Sequence, residues 1–80
     1  MSTTPSYIDI LNESSVVFIT DLGRTGWNAL AGMPGFEAIS PTGEIRPFVT
    51  RRGAEAWRRA EVNSTFAFYA RTAARRAVFA

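Results

Sequence analysis

Apolar and polar positions change their spacing several times along the chain, and each change marks an element. Val16 to Ile19 is a short continuous apolar run that reads as a strand. Phe36 to Ser40 and Glu44 to Val49 flank Pro41-Thr42-Gly43, whose Pro and Gly are turn formers, so this segment reads as a β-hairpin. Pro47 has no N–H to give to a ladder, which places the second hairpin strand at an edge or a bulge. The tail from Ser64 to Ala80 is Ala-rich and reads as helix, with Phe66, Tyr69, Ala70, Ala73 and Ala77 forming one close-packing stripe. Near the start, Thr4-Pro5 suits the opening of a short helix with Tyr7, Ile8 and Leu11 on one side, although alternation fits a strand over Tyr7 to Leu11 equally well.

One pattern occurs twice. Phe18-Ile19-Thr20-Asp21-Leu22-Gly23-Arg24-Thr25-Gly26-Trp27 aligns with Phe48-Val49-Thr50-Arg51-Arg52-Gly53-Ala54-Glu55-Ala56-Trp57, sharing Phe, Thr, Gly and Trp. Each copy reads as a strand, then a Thr whose hydroxyl caps a helix, with helices over 21–31 and 51–61. At helical spacing Gly23, Gly26, Trp27 and Leu30 share one face in the first copy, and Gly53, Ala56, Trp57 and Ala60 in the second. Small residues beside one Trp suit close packing. The internal glycines and Gly32-Met33-Pro34-Gly35 make the first helix weak and end it, while Asn63-Ser64-Thr65 divides the second from the tail or lies within one long helix. The expected fold is α+β: a small single domain over residues 1–80 with a β-hairpin, a third short strand and three to four helices.

With 80 residues, the chain is large enough for one domain and little more. It has no Cys and no His, which rules out a disulfide framework and the usual zinc sites. It also has no Lys, so the commonest general bases and nucleophiles are missing. The carboxylates at positions 9, 13, 21, 37, 44, 55 and 61 show no paired spacing, and there is no Gly-rich phosphate loop. A non-enzymatic protein that takes no cofactor is expected. No apolar run approaches the roughly 20 residues that span a bilayer, and the first residues carry no secretory pattern, which makes a cytoplasmic setting or assembly into a particle the default.

Charge alters this picture. Residues 1–50 carry −3 and residues 51–80 carry +5, and every basic residue is Arg. That polarity suits an anionic partner for the second half, either nucleic acid or an acidic protein surface, or head-to-tail association of copies into a homo-oligomer. Arg51 and Arg52 follow Thr50 in the first turn of a helix, where exposed N–H groups and guanidinium forks together could hold a phosphate or a carboxylate. The plainer reading is that Glu55 neutralises Arg51 and Arg59 across helical spacings. Arg46, Thr50, Arg51, Arg52, Arg58 and Arg59 are the candidate nucleic-acid or anion contacts. On the tail helix Phe68, Arg75 and Phe79 share a face away from the Ala stripe, with Thr72 between them. Those residues are candidates for covering another part of the domain, for a partner or oligomer contact, for base stacking or for a membrane surface.

The hairpin followed by Val49-Thr50-Arg51-Arg52-Gly53-Ala54-Glu55-Ala56-Trp57-Arg58-Arg59-Ala60 resembles the wing and closing helix of winged-helix transcription regulators, over residues 36–61. In that family a helix-turn-helix precedes the wing and its second helix enters the major groove. This chain has only 21–31 in that place, which leaves Arg24, Thr25 and Asn28 as the groove-facing candidates the resemblance implies. It also implies that Arg46, Arg51 and Arg52 touch phosphates. Two readings stay open: a small nucleic-acid-binding protein, and a phage-type structural or host-interaction protein acting by protein–protein contact.

Overall fold

The computed structural model describes residues 4–25 and 28–79, with side chains described for 4–24 and 29–76. The element order is α1 (Tyr7–Asn12), β1 (Ser15–Ile19), two 3-10 turns (Leu22–Thr25 and Asn28–Leu30), β2 (Gly35–Ile39), β3 (Ile45–Phe48) and α2 (Arg51–Phe79). The α+β expectation holds at that level. Its count of three to four helices does not, because the described residues contain two α-helices.

The short helix opens where Ser6 and Asp9 cap each other's backbone N–H groups. Its inward residue is Ile10, 2% exposed, while Ile8 faces outward. The three strands form an antiparallel meander in the order β1-β2-β3, so Pro47 does lie on an edge strand. Ser40 closes the hairpin turn: its N–H donates to the Glu44 carbonyl at 2.8 Å and its hydroxyl accepts from the Glu44 N–H at 3.0 Å. The register sets Phe18 beside Phe36 and Phe36 beside Phe48, with Val16, Ala38 and Arg46 in the next row. Directly paired residues share a face, so these six lie together. That face receives α2.

The first strand-Thr-x-x-Gly unit does not lead into an α-helix. The Asp21 carboxylate accepts from the N–H of Gly23 at 2.9 Å and of Gly32 at 2.7 Å, clipping together the two ends of the segment. Gly23 lies so close to Ala31 that an added Cβ would be 2.6 Å from the Ala31 Cα. In a straight α-helix those residues would be about 12 Å apart along the axis. The chain turns back instead, and Leu22 is driven to full burial. Gly35 makes room for it, since a Cβ there would meet a Leu22 methyl at 2.6 Å and the Phe48 carbonyl oxygen at 2.5 Å.

The second unit does lead into a helix, capped by the Thr50 hydroxyl, which accepts from the Gly53 N–H at 3.1 Å. This helix runs unbroken for 29 residues, about 43 Å. Asn63-Ser64-Thr65 are weak helix formers but not breakers, so they do not divide it. Its inward stripe is Ala54, Arg58, Val62 and Thr65, at four- and three-residue intervals, whereas Ala56 and Ala60 of the predicted stripe are exposed. The tail stripe is corrected too: Ala70 is exposed, Phe66 and Tyr69 are 38% and 39% exposed, and Phe66 meets the Tyr7 ring edge-on at 5.7 Å. The radius of gyration, 15.8 Å, compares with about 12 Å for a compact chain of this length. The excess comes from the outer part of α2, beyond Val62, the last buried residue among those described.

Arg58 ties the helices together. Its Nε donates to the Ser14 hydroxyl at 2.7 Å, and Nη2 donates to the carbonyls of Leu11 at 3.2 Å and Ser14 at 3.4 Å. The Leu11 carbonyl also accepts from the Ser14 N–H at 3.1 Å and the Ser14 hydroxyl at 2.6 Å, so the guanidinium joins a network that already closes the end of α1 and ties it to α2. Arg58→Ala is expected to cost about 1 to 3 kcal/mol by removing the hydrogen bonds that join α2 to Leu11 and Ser14, with Arg58→Lys recovering only part because an ammonium cannot fork. Urea unfolding checks this, and an unchanged midpoint would refute the clamp.

Candidate nucleic-acid interface

Two of the predicted anion-contact residues are held against aromatic rings. Arg46 projects from β3 on the face that α2 covers, and its guanidinium carbon sits 5.2 Å from the centroid of the Trp57 ring. Trp57 in turn packs against Phe48 at 5.9 Å. Arg51, in the first turn of α2, lies 5.0 Å from the centroid of Phe36, which meets Phe18 edge-on at 5.6 Å. Each such cation–ring contact is worth about 0.5 to 1 kcal/mol at an exposed site. Their larger effect is on entropy, since a guanidinium resting on a ring has fewer conformations to lose when it meets an anion.

The heads remain accessible. The Arg46 side chain is 48% exposed, with the Glu44 carboxylate at 3.8 Å, and Arg51, Arg52 and Arg59 are all exposed. Glu55 does not neutralise Arg51 and Arg59 as its spacing offers; its carboxylate is 3.6 Å from Arg58. Arg58 itself is turned inward, so of the five predicted arginine contacts it is the one whose guanidinium hydrogen-bonds to the end of α1. Thr50 is occupied as the cap of α2.

The remaining predicted contacts lie elsewhere. Phe68 is 57% exposed, and Arg75 is exposed beside it. The Phe79 side chain lies outside the described residues, as do Trp27 and the side chains of Thr25 and Asn28. Arg71 and Arg76, which the sequence pattern did not single out, are exposed on the same outer stretch of α2. They could have been found by noting that the chain has no carboxylate after Glu61. The seat of Arg46 on Trp57 had a sequence signal as well, because Arg46 and Phe48 are two apart on one strand and so share a face.

Among the described residues no three carboxylates converge on a metal site, and no helix is long and apolar enough to cross a membrane. No protein-family model, curated protein or solved structure matches this chain.

Proposed function

We propose that this is a small non-enzymatic nucleic-acid-binding protein that uses its basic C-terminal half. The observation that carries this reading is the pair of ring-seated arginines, Arg46 on Trp57 and Arg51 on Phe36, with Arg52 and Arg59 exposed on the same helix. Guanidinium groups fixed in this way suit the forked geometry of a phosphate. Contacts of that kind position a protein on a nucleic-acid backbone and carry little sequence information.

The proposed arrangement borrows the wing and closing helix of winged-helix regulators without their groove reading. Leu22–Thr25 and Asn28–Leu30 are 3-10 turns where that family places its recognition unit, so Arg24 is not presented from an α-helix. Backbone-directed, weakly selective binding is the consequence. A gel-shift assay with labelled DNA and RNA at low ionic strength tests the reading, which predicts retarded complexes with at least one of them. No shift with either would overturn it.

A second reading, action by protein–protein contact in a phage-type assembly, is favoured by a different surface. Val17 and Ile45 alternate away from the helix-covered face and are 41% and 50% exposed, with Glu37 and Ile39 between them in the sheet. β1 is also an edge strand without a charged residue or Pro to discourage pairing. Under this reading light scattering shows a concentration-dependent increase in mass that Val17→Lys with Ile45→Lys removes. A wild-type monomer at all concentrations would exclude self-assembly.

A further inference from the structure

The outer part of α2 is poorly explained by the fold. Beyond Val62 it has no buried side chain among its described residues, and it carries Arg71, Arg75 and Arg76 with no carboxylate to neutralise them. At its centre Phe68 is 57% exposed, its ring held edge-on to Tyr69 at 5.8 Å. That ring borders two shallow grooves. One, of about 240 Å³, is lined by Phe68, Arg71, Thr72 and Arg75. The other, of about 260 Å³, lies between Phe68, Tyr69 and Arg76 of the helix and Thr4 and Pro5 of the N-terminal segment.

We propose that Phe68 is a stacking site for an unpaired nucleobase, with Arg71 and Arg75 on one side and Arg76 on the other taking the neighbouring phosphates. The ligand is single-stranded nucleic acid, and the proposal rests on the nucleic-acid reading above while assigning it a second contact and a strand preference. Three features lead there. A duplex hides the faces of its bases, so an exposed ring flanked by cations gains nothing from a duplex surface, whereas every unpaired base offers a face to it. Arg71 and Arg75 are one helical turn apart, about 6 Å along the axis, and follow Phe68 at the three- and seven-residue spacings that keep side chains on one strip. With no Asp or Glu after Glu61 this stretch carries charge complementary to a phosphate backbone, and among the described residues Arg71, Arg75 and Arg76 make no ion pair.

The test titrates the full-length protein with a labelled oligothymidine of about 20 nucleotides and with a hairpin duplex, following anisotropy, for the wild type, Phe68→Ala, Phe68→Leu and Phe68→Tyr. Circular dichroism establishes that α2 is retained in each. The expected result is a roughly tenfold weaker grip on the single strand for both Ala and Leu, restoration by Tyr, and unchanged duplex binding. Leu separates stacking from mere apolar contact. If Phe68→Ala binds the single strand as well as the wild type does, the stacking site is refuted while the nucleic-acid reading stands on its other contacts. If Phe68→Leu matches the wild type, an apolar contact of the kind a protein partner would make replaces the stacking proposal. If the wild type binds neither ligand, both readings fail together.

Discussion

Replacing Arg46, Arg51 and Arg52 together with Ala is expected to weaken nucleic-acid binding about 100-fold at low ionic strength, taking roughly 1 kcal/mol for each exposed phosphate contact. The salt dependence should flatten as well, by about one unit of slope for each arginine removed. Folding should survive, since the seats of Arg46 on Trp57 and of Arg51 on Phe36 contribute only about 0.5 to 1 kcal/mol each. Arg58→Ala is the informative contrast. Its guanidinium faces Ser14 and Leu11 within the fold, so its removal should lower stability and, under conditions where the protein stays folded, leave affinity nearly unchanged. Anisotropy titration of both variants, with thermal melts alongside, separates binding from folding. Equal affinities for the triple variant and the wild type would remove the ring-seated arginines from the interface.

Leu22→Ala is expected to be the most damaging single truncation, at about 2 to 5 kcal/mol. Leu22 is fully buried, in a site that Gly35 leaves open and the Asp21 clip closes. A backbone this constrained cannot collapse readily onto the vacated volume, which pushes the cost toward the upper end. For a domain whose whole stability falls near or below the usual 5 to 15 kcal/mol, that loss would leave a large unfolded fraction at room temperature. Urea unfolding measures it, and a loss below about 1 kcal/mol would show that Leu22 is not the plug described.

The hairpin was legible because its signals are local: alternating strands, a Pro-Thr-Gly turn, and a Pro that has to sit at an edge. The Thr50 cap was legible for the same reason. The repeat was visible in the sequence yet misleading in structure, because identical residues met different surroundings. Gly23 admits the backbone of Ala31, while Gly53 has only the Thr50 hydroxyl and the Phe48 ring near it, at 3.2 and 3.3 Å from an added Cβ. The deciding contact in the first copy, Asp21 to Gly32, spans eleven residues and leaves no periodic trace. Whether Asn63-Ser64-Thr65 divides α2 was open in the sequence; without Gly or Pro their low propensity yields to the flanking helix, and α2 runs through them.

The candidate site was legible in composition and not in arrangement. Seven arginines in the last thirty residues marked the basic half. Which of them would be held on rings, turned inward or left exposed depended on how α2 crosses the sheet. Arg58 and Arg59 are adjacent in sequence, yet one grips the end of α1 and the other faces solvent. A shift of about 100° around the helix decides between the two roles.

The salt dependence of wild-type binding to duplex DNA tests the central claim most directly, because it counts phosphate contacts without relying on any variant. With Arg46, Arg51, Arg52 and Arg59 as the contacts, the logarithm of the association constant should fall against the logarithm of salt concentration with a slope of about −3.6. A slope near zero, or no binding at about 50 mM salt, would contradict the account.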